Sequence, residues 1–146
     1  MECVILMGIQ GSGKSTFFKE RFADSHVRVN PDMLKTRHRE LLLVRACIEG
    51  KTKFVVDNTN VKRDDRTRYI SIAKDAGFRV VGYYLQSQLD ACIERNDARA
   101  APIPVGAIRG THKRLELPTL DEGFDELFYV QQIDGAFAVK DWSDEV

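Results

Sequence analysis

An apolar run, Val4-Ile5-Leu6-Met7, passes directly into Gly8-Ile9-Gln10-Gly11-Ser12-Gly13-Lys14-Ser15, and this junction constrains the fold more than any other feature of the chain. The loop has the spacing G-x-x-x-x-G-K-[ST] and opens into Ser15-Thr16-Phe17-Phe18-Lys19-Glu20, which reads as the start of a helix. Strand, glycine-rich loop and helix in that order make a phosphate cradle. The glycines let successive backbone N–H groups turn inward, Lys14 reaches the β and γ oxygens, and the Ser15 hydroxyl suits Mg²⁺. The helix N-terminus adds the positive end of its dipole. Gly8, Gly11, Ser12, Gly13, Lys14, Ser15 and Thr16 are therefore the expected residues of a nucleoside triphosphate site, with Ser15 as a metal ligand.

Beyond the loop, apolar runs alternate with helical patterns. Strands are expected at 3–7, 26–29, 54–56 and 78–85. Helices are expected at 14–23, at 32–49 closed by Gly50, at 62–76 ended by Gly77, and at 88–98. Such alternation implies an α/β fold, three layers in the order α/β/α around a central, mainly parallel sheet whose ligands bind at the carboxyl ends of the strands. Residues 99–104 carry Pro102 and Pro104 and interrupt the pattern, so 95–104 reads as a small lid. Gly106 and Gly110 leave 105–115 only weakly helical, and 128–133 with 137–139 form a final hairpin about Asp134-Gly135.

A hydrophobic content of 43% with four prolines suits one domain over residues 1–146. No apolar run approaches the roughly 20 residues that span a bilayer, and Glu2 leads straight into the first strand, so neither a signal peptide nor a membrane partner is expected and the location reads as cytoplasmic. Cys3, Cys47 and Cys92 are odd in number and widely spaced, which favours free core thiols, and His26, His38 and His112 have no metal-ligand spacing. The formal net charge is zero but unevenly distributed. Residues 116–146 hold nine acids against Lys140 alone, while the first 115 carry 21 bases and 13 acids. The neutral balance argues against binding nucleic acid as a bulk polycation, whereas a basic body with an acidic tail permits a local cationic groove. The acidic segment reads either as a screen over that groove or as a hairpin folded on the sheet edge. Nothing in the sequence indicates oligomeric state.

Asp32 follows the second strand in Val29-Asn30-Pro31-Asp32. Asn30 suits a helix N-cap, Pro31 the first helical position and Asp32 the first turn, which accounts for the segment structurally. Beside a phosphate loop, the same carboxylate faces the γ-phosphate, where an acceptor hydroxyl needs its proton taken. Lys35, one helical turn on, is expected on the same side and could hold an anionic acceptor. Asp57 ends the third strand in Phe54-Val55-Val56-Asp57-Asn58-Thr59-Asn60, the form of a strand that places a carboxylate near Mg²⁺. Asp57, Asn58 and Asn60 are more polar groups than one helix cap requires, so they read as acceptor-side residues. Arg95 and Arg99 lie four apart entering the lid, where they complement a helix C-terminus and could neutralise a transferring phosphoryl group.

With those residues placed, the chain resembles the kinase domain of the 5′-hydroxyl polynucleotide kinase family, as in the polynucleotide kinase-phosphatases. The resemblance is carried by Gly8 to Thr16, Val29-Asn30-x-Asp32, Val56 to Asn60, Arg95-Asn96-x-x-Arg99, Ile103-Pro104-Val105 and Pro118-Thr119-Leu120-Asp121-Glu122-Gly123-Phe124. It implies a P-loop kinase-like fold, ATP and Mg²⁺ held by Lys14 and Ser15, Asp32 as general base, and Arg95 and Arg99 as phosphate clamps. The implied acceptor is the 5′-hydroxyl end of DNA or RNA. The family usually has Arg where Pro31 stands and often where Lys35 stands, so this chain offers a point charge where a planar fork is usual. No D-x-D phosphatase signature is present, which implies a kinase alone. The residues by themselves also fit a kinase of a small hydroxyl compound, a nucleoside, sugar or antibiotic, and a regulatory nucleotide-binding ATPase.

Overall fold

In a computed structural model, which describes residues 1–143, six strands form one sheet in the order β2-β3-β1-β4-β5-β6. The strands are β1 (Glu2–Met7), β2 (Val27–Val29), β3 (Phe54–Asp57), β4 (Arg79–Leu85), β5 (Glu126–Ile133) and β6 (Ala136–Asp141). Five run parallel, and β6 returns antiparallel to β5, pairing Ile133 with Ala136 next to the turn. Central strand β1 has neighbours on both edges and helices over both faces, which is why Cys3 to Met7 are an unbroken apolar run, each at most 1% exposed.

Side-chain alternation along β1 builds the two apolar layers. Cys3, Ile5 and Met7 pack under α3 (Arg37–Glu49) and α4 (Arg63–Asp75), against Val44, Cys47, Tyr69 and Ala73. Val4 and Leu6 point to the other face and meet Phe17, Phe18 and Phe22 from α1 (Lys14–Arg21) and its C-terminal cap. The result is the expected three-layer α/β/α fold. Each fully buried Leu, Ile or Phe here contributes about 1.5–3 kcal/mol. A third cluster, Ile9, Cys92 and Ile108 among them, seats α5 (Leu89–Asp97) and α6 (Val105–Arg114) above the carboxyl ends of the strands. No helix among the described residues is long and apolar enough to cross a membrane. All three cysteines are buried and free.

One helix departs from expectation. The stretch 32–49 is not continuous but divides into α2 (Pro31–Leu34) and α3, because Lys35 adopts φ 71° and Thr36 starts the next helix, its side chain accepting from the Arg39 N–H at 3.2 Å. Thr36 is an ordinary N-cap that the apolar periodicity obscured.

The acidic segment is folded rather than free. Glu122 pairs with Arg66, Asp125 with Lys74 at 2.8 Å, and Glu126 with Arg79, so acids late in the chain meet bases on α4 and β4. Arg66 is fully buried. It grips both Glu122 oxygens at 2.7 and 3.0 Å and donates to the Asn60 and Glu116 carbonyls at 3.0 Å. Thr119 and Glu122 also form a reciprocal capping box, which gives the Pro118–Phe124 segment its structural purpose. Asp144 and Glu145 lie outside the described residues.

Candidate active site

Backbone geometry shapes the phosphate loop before any side chain acts. Gly11 and Gly13 have φ of 80° and 101°, the left-handed region where a Cβ is penalised. A Cβ on Gly11 would also stand 2.3 Å from the Cys92 carbonyl oxygen of α5. Around the loop, Gly8 N–H donates to the Thr59 carbonyl at 2.9 Å, Ile9 N–H to Ser87 Oγ at 3.0 Å, and Gln10 Nε2 to Thr111 Oγ1 at 3.0 Å. The cradle is thus tied to the strand ends and to α6.

Lys14 opens α1 and turns its ammonium back onto the loop, donating to the Gly8 and Ile9 carbonyls at 2.7 and 2.9 Å and to Ser12 Oγ at 3.4 Å. Burial pushes its pKa down to about 8, while Asp57 and Asp32 pull in the opposite direction. Phosphate oxygens would supply the counter-charge that this ammonium otherwise takes from backbone dipoles.

Lys14, Ser15, Asp32, Asp57, Arg95 and Arg99 all face one cleft of about 350 Å³ at the strand ends, together with Asn58 and Gln132. A larger apolar groove of about 500 Å³ lies between α3 and α4, around Leu41, Val44 and Ile72. Its buried Glu40 is bonded by the Tyr69 hydroxyl, and it holds none of the loop residues, so the smaller cleft carries the chemistry.

Asp32 stands where local rules place it. Asn30 caps α2 by accepting from the Met33 N–H at 3.0 Å, Pro31 takes the first position, and the Asp32 carboxylate is exposed to the cleft. Asp57 is 3% exposed at the end of β3. Its carboxylate and the Ser15 hydroxyl offer oxygen donors of the hard type that Mg²⁺ prefers, so the pair fits that ion by chemistry. Arg99 reaches the cleft from the 98–104 loop. That loop is closed by the fully buried Asn96, whose amide donates to the Ile103 carbonyl at 2.7 Å and accepts from its N–H at 3.0 Å. Arg95 donates to the Gly11 carbonyl and contacts Cys92 Sγ at 3.8 Å, so it braces the loop as well as lining the cleft.

Two expected acceptor residues are elsewhere. Lys35 does not line the cleft, because its positive φ ends α2 and removes the one-turn relation to Asp32. Asn60, 1% exposed with φ 46°, donates its amide to the Leu6 carbonyl at 2.8 Å and so ties β3 to β1. Two further residues, Gln132 in the cleft and Arg28 beside it, were not anticipated. Gln132 reaches over Gly13 from β5, with a buried amide oxygen that has no hydrogen-bond partner. Arg28, in the middle of β2, donates to both Asp57 and Ser15. The signal for Arg28 was present, a cation between two valines whose alternation turns it away from the side they occupy.

Residues 35–118, more than half of the chain, match the model of the AAA domain family. The chain belongs to the AAA domain family. The matched stretch begins after the phosphate loop, so this AAA domain assignment and the loop's own spacing are separate observations. Among curated proteins the chain is similar to the bifunctional polynucleotide phosphatase/kinase of Schizosaccharomyces pombe, 30% identical over 129 residues, covering 84% of this chain and 32% of that protein. It is also similar to the L-seryl-tRNA(Sec) kinase of Methanococcus maripaludis, 26% identical over 141 residues, covering 84% of this chain and 55% of that one. The chain therefore spans between about a third and about half of these relatives' length. The resemblance to polynucleotide kinases read from the motifs is borne out as a similarity. Of solved structures, Chaetomium thermophilum Kti12 in complex with ADP-AlF3 superposes with a TM-score of 0.68 at 17% identity, covering 90% of both chains, which supports the three-layer α/β/α fold.

Proposed function

We propose that this AAA domain transfers the γ-phosphate of ATP to the 5′-hydroxyl of a polynucleotide. The observation that carries the reading is the meeting of a phosphate cradle, Lys14 and Ser15, with the uncommitted carboxylate of Asp32 in one cleft reached by Arg99. The sheet order supports it: β2 and β3, which deliver Asp32 and Asp57, lie on one side of β1, so the acceptor approaches from that side. As the hydroxyl oxygen attacks phosphorus, Asp32 takes its proton, the bond from phosphorus to the β–γ bridging oxygen breaks, and ADP departs with that electron pair. Lys14 and Arg99 hold the charge that spreads over the transferring oxygens. Ser15 and Asp57 would hold Mg²⁺, which when bound neutralises charge on the nucleotide phosphates. The polynucleotide acceptor is supported by the similarity to the S. pombe phosphatase/kinase.

A second reading, a kinase of a hydroxyl carried by another acceptor, is favoured by the similarity to the seryl-tRNA kinase. One assay separates them: transfer of labelled γ-phosphate to matched 5′-hydroxyl DNA, 5′-hydroxyl RNA, seryl-tRNA and nucleosides. Label on the 5′ ends is expected, and label on neither the 5′-hydroxyl DNA nor the 5′-hydroxyl RNA would sink the proposal. Asp32→Asn is expected to lower the single-turnover rate by about 10²–10⁴-fold while ADP affinity stays within about threefold. A wild-type rate would remove Asp32 from the base role.

A further inference from the structure

Arg28 stands beside the cleft, bonded to two of its lining residues, Asp57 and Ser15, and the reaction as proposed gives it no part. Its Nε donates to Asp57 Oδ2 at 2.8 Å, Nη2 lies 2.6 Å from the same oxygen, and Nη2 also donates to Ser15 Oγ at 3.2 Å. The guanidinium lies over the Phe18 ring, 5.0 Å from its centroid, which fixes the plane of the fork. Asp57 is 3% exposed and Arg28 23%, so this is a largely desolvated pair in which little of the attraction is screened. Asp57 has one further polar contact, Asn30 Nδ2 at 3.5 Å. Of the cations that line the cleft, Lys14 is engaged with the loop carbonyls and Arg95 with Gly11.

The guanidinium therefore bridges the same two oxygen donors that the proposed function assigns to Mg²⁺. A guanidinium does not lose its proton in a protein, so it leaves only by moving. A divalent ion and a guanidinium repel each other within a few ångströms, and both draw on one carboxylate. We infer that Arg28 is an internal cation that competes with the divalent metal for Ser15 and Asp57, and thereby sets the metal affinity of the nucleotide site. This inference rests on the reading that Ser15 and Asp57 hold the metal. Arg28 keeps the buried Asp57 paired before metal arrives, and metal binding then requires both guanidinium contacts to break. The same competition favours ions of high charge density, which regain most from the carboxylate.

Mn²⁺ binding, followed by paramagnetic resonance at saturating ADP, tests this on wild type, Arg28→Met and Arg28→Lys. The Met variant keeps an apolar stem against Phe18 and removes the charge. It is expected to bind Mn²⁺ about tenfold more tightly, with Lys between Met and wild type because it keeps the charge and loses the fork. Unchanged or weaker Mn²⁺ binding by a folded Met variant would overturn the inference, since a purely structural Arg28 gives no reason for tighter metal. Should the Met variant not fold, wild type alone decides: the Arg28 Nε–H resonance in a nitrogen-15 spectrum shifts when Mg²⁺ joins the ADP complex, and a stationary resonance refutes the competition. If wild type binds ADP but no Mn²⁺, the metal assignment of Ser15 and Asp57 falls and the inference with it. If it binds no ADP, the nucleotide-site reading falls first.

Discussion

At Gly11 the backbone and a neighbouring helix make the same demand. Its φ of 80° disfavours any Cβ, and a Cβ there would also meet the Cys92 carbonyl oxygen at 2.3 Å, a backbone atom that cannot swing aside. Gly11→Ala is therefore expected to cost about 2–3 kcal/mol, a Tm fall of roughly 5–10 °C, and to weaken ADP binding with it. Gly106 is the opposite case. It lies inside α6 with nothing within 4 Å of an added Cβ, so Gly106→Ala is expected to raise Tm by about 2–3 °C through helix propensity and a less flexible unfolded chain. Thermal melts of the two variants check both signs. The contrast also explains what was legible at this scale. Lys14, Ser15 and Asp32 could be read because short-range spacing determines their positions. The face on which Arg28 stands was legible from strand alternation, but its partner and that of Asn60 were not, because the Asp57 carboxylate and the Leu6 carbonyl are 29 and 54 positions away. A polar residue at a strand end looks the same in sequence whether it faces a cleft or a neighbouring strand.

Elements were legible where one signal dominated and were misread where two competed. The β1–loop–α1 unit and the β5–β6 hairpin emerged at nearly their observed bounds because an apolar run ends on glycine or Asp-Gly in each. The helix expected at 32–49 failed because apolar periodicity continues past Lys35, while the chain obeys the Thr36 cap instead. How β5 attaches to β4 was also hidden, since it depends on Asp125, a residue just before the strand. The Asp125 N–H donates to the Val80 carbonyl at 2.8 Å, and its carboxylate accepts from the Val80 N–H and from Lys74, both at 2.8 Å. The Lys74 hydrogen bond, more than any other influence, holds the Asp125 carboxyl below its ordinary value. A carboxyl depressed in the folded state stabilises the protein above its unfolded pKa of 3.8, and that stabilisation is lost as pH falls through the still lower folded value. Asp125→Ala is thus expected to lower Tm by about 2–4 °C at pH 7, a cost of about 1 kcal/mol after allowing for the pair's exposure, and by progressively less below pH 4. An equal deficit at pH 7 and pH 2.5 would show that the carboxylate's charge is not what joins the strands.

Across the whole molecule, the division between a basic body and an acidic segment holds along the chain and dissolves in space. Glu122, Asp125 and Glu126 are taken up by Arg66, Lys74 and Arg79, so most of the acids nearest the core hold β5 and the Pro118–Phe124 segment in place. Asp141 remains exposed at the end of β6, and of the terminal acids Asp141, Asp144 and Glu145 that could screen the acceptor groove it is the one among the described residues. Distance argues against that role. Five inter-strand steps separate β6 from β2, whose carboxyl end leads to Asp32, and at about 4.8 Å per step that is about 24 Å. Screening at physiological salt has a decay length of about 8 Å, so a single exposed charge that far away leaves roughly a twentieth of its already weak field at the acceptor side. Asp141→Asn is accordingly expected to leave the affinity for a 5′-hydroxyl oligonucleotide within about twofold at 0.15 M salt. The basic side chains that neutralise the strand should still impose a steep fall in affinity as salt rises, with the same slope in variant and wild type. Fluorescence anisotropy across a salt series measures both quantities. Tighter binding by the variant, or a slope that differs from wild type, would mean that β6 approaches the acceptor more closely than the sheet order allows.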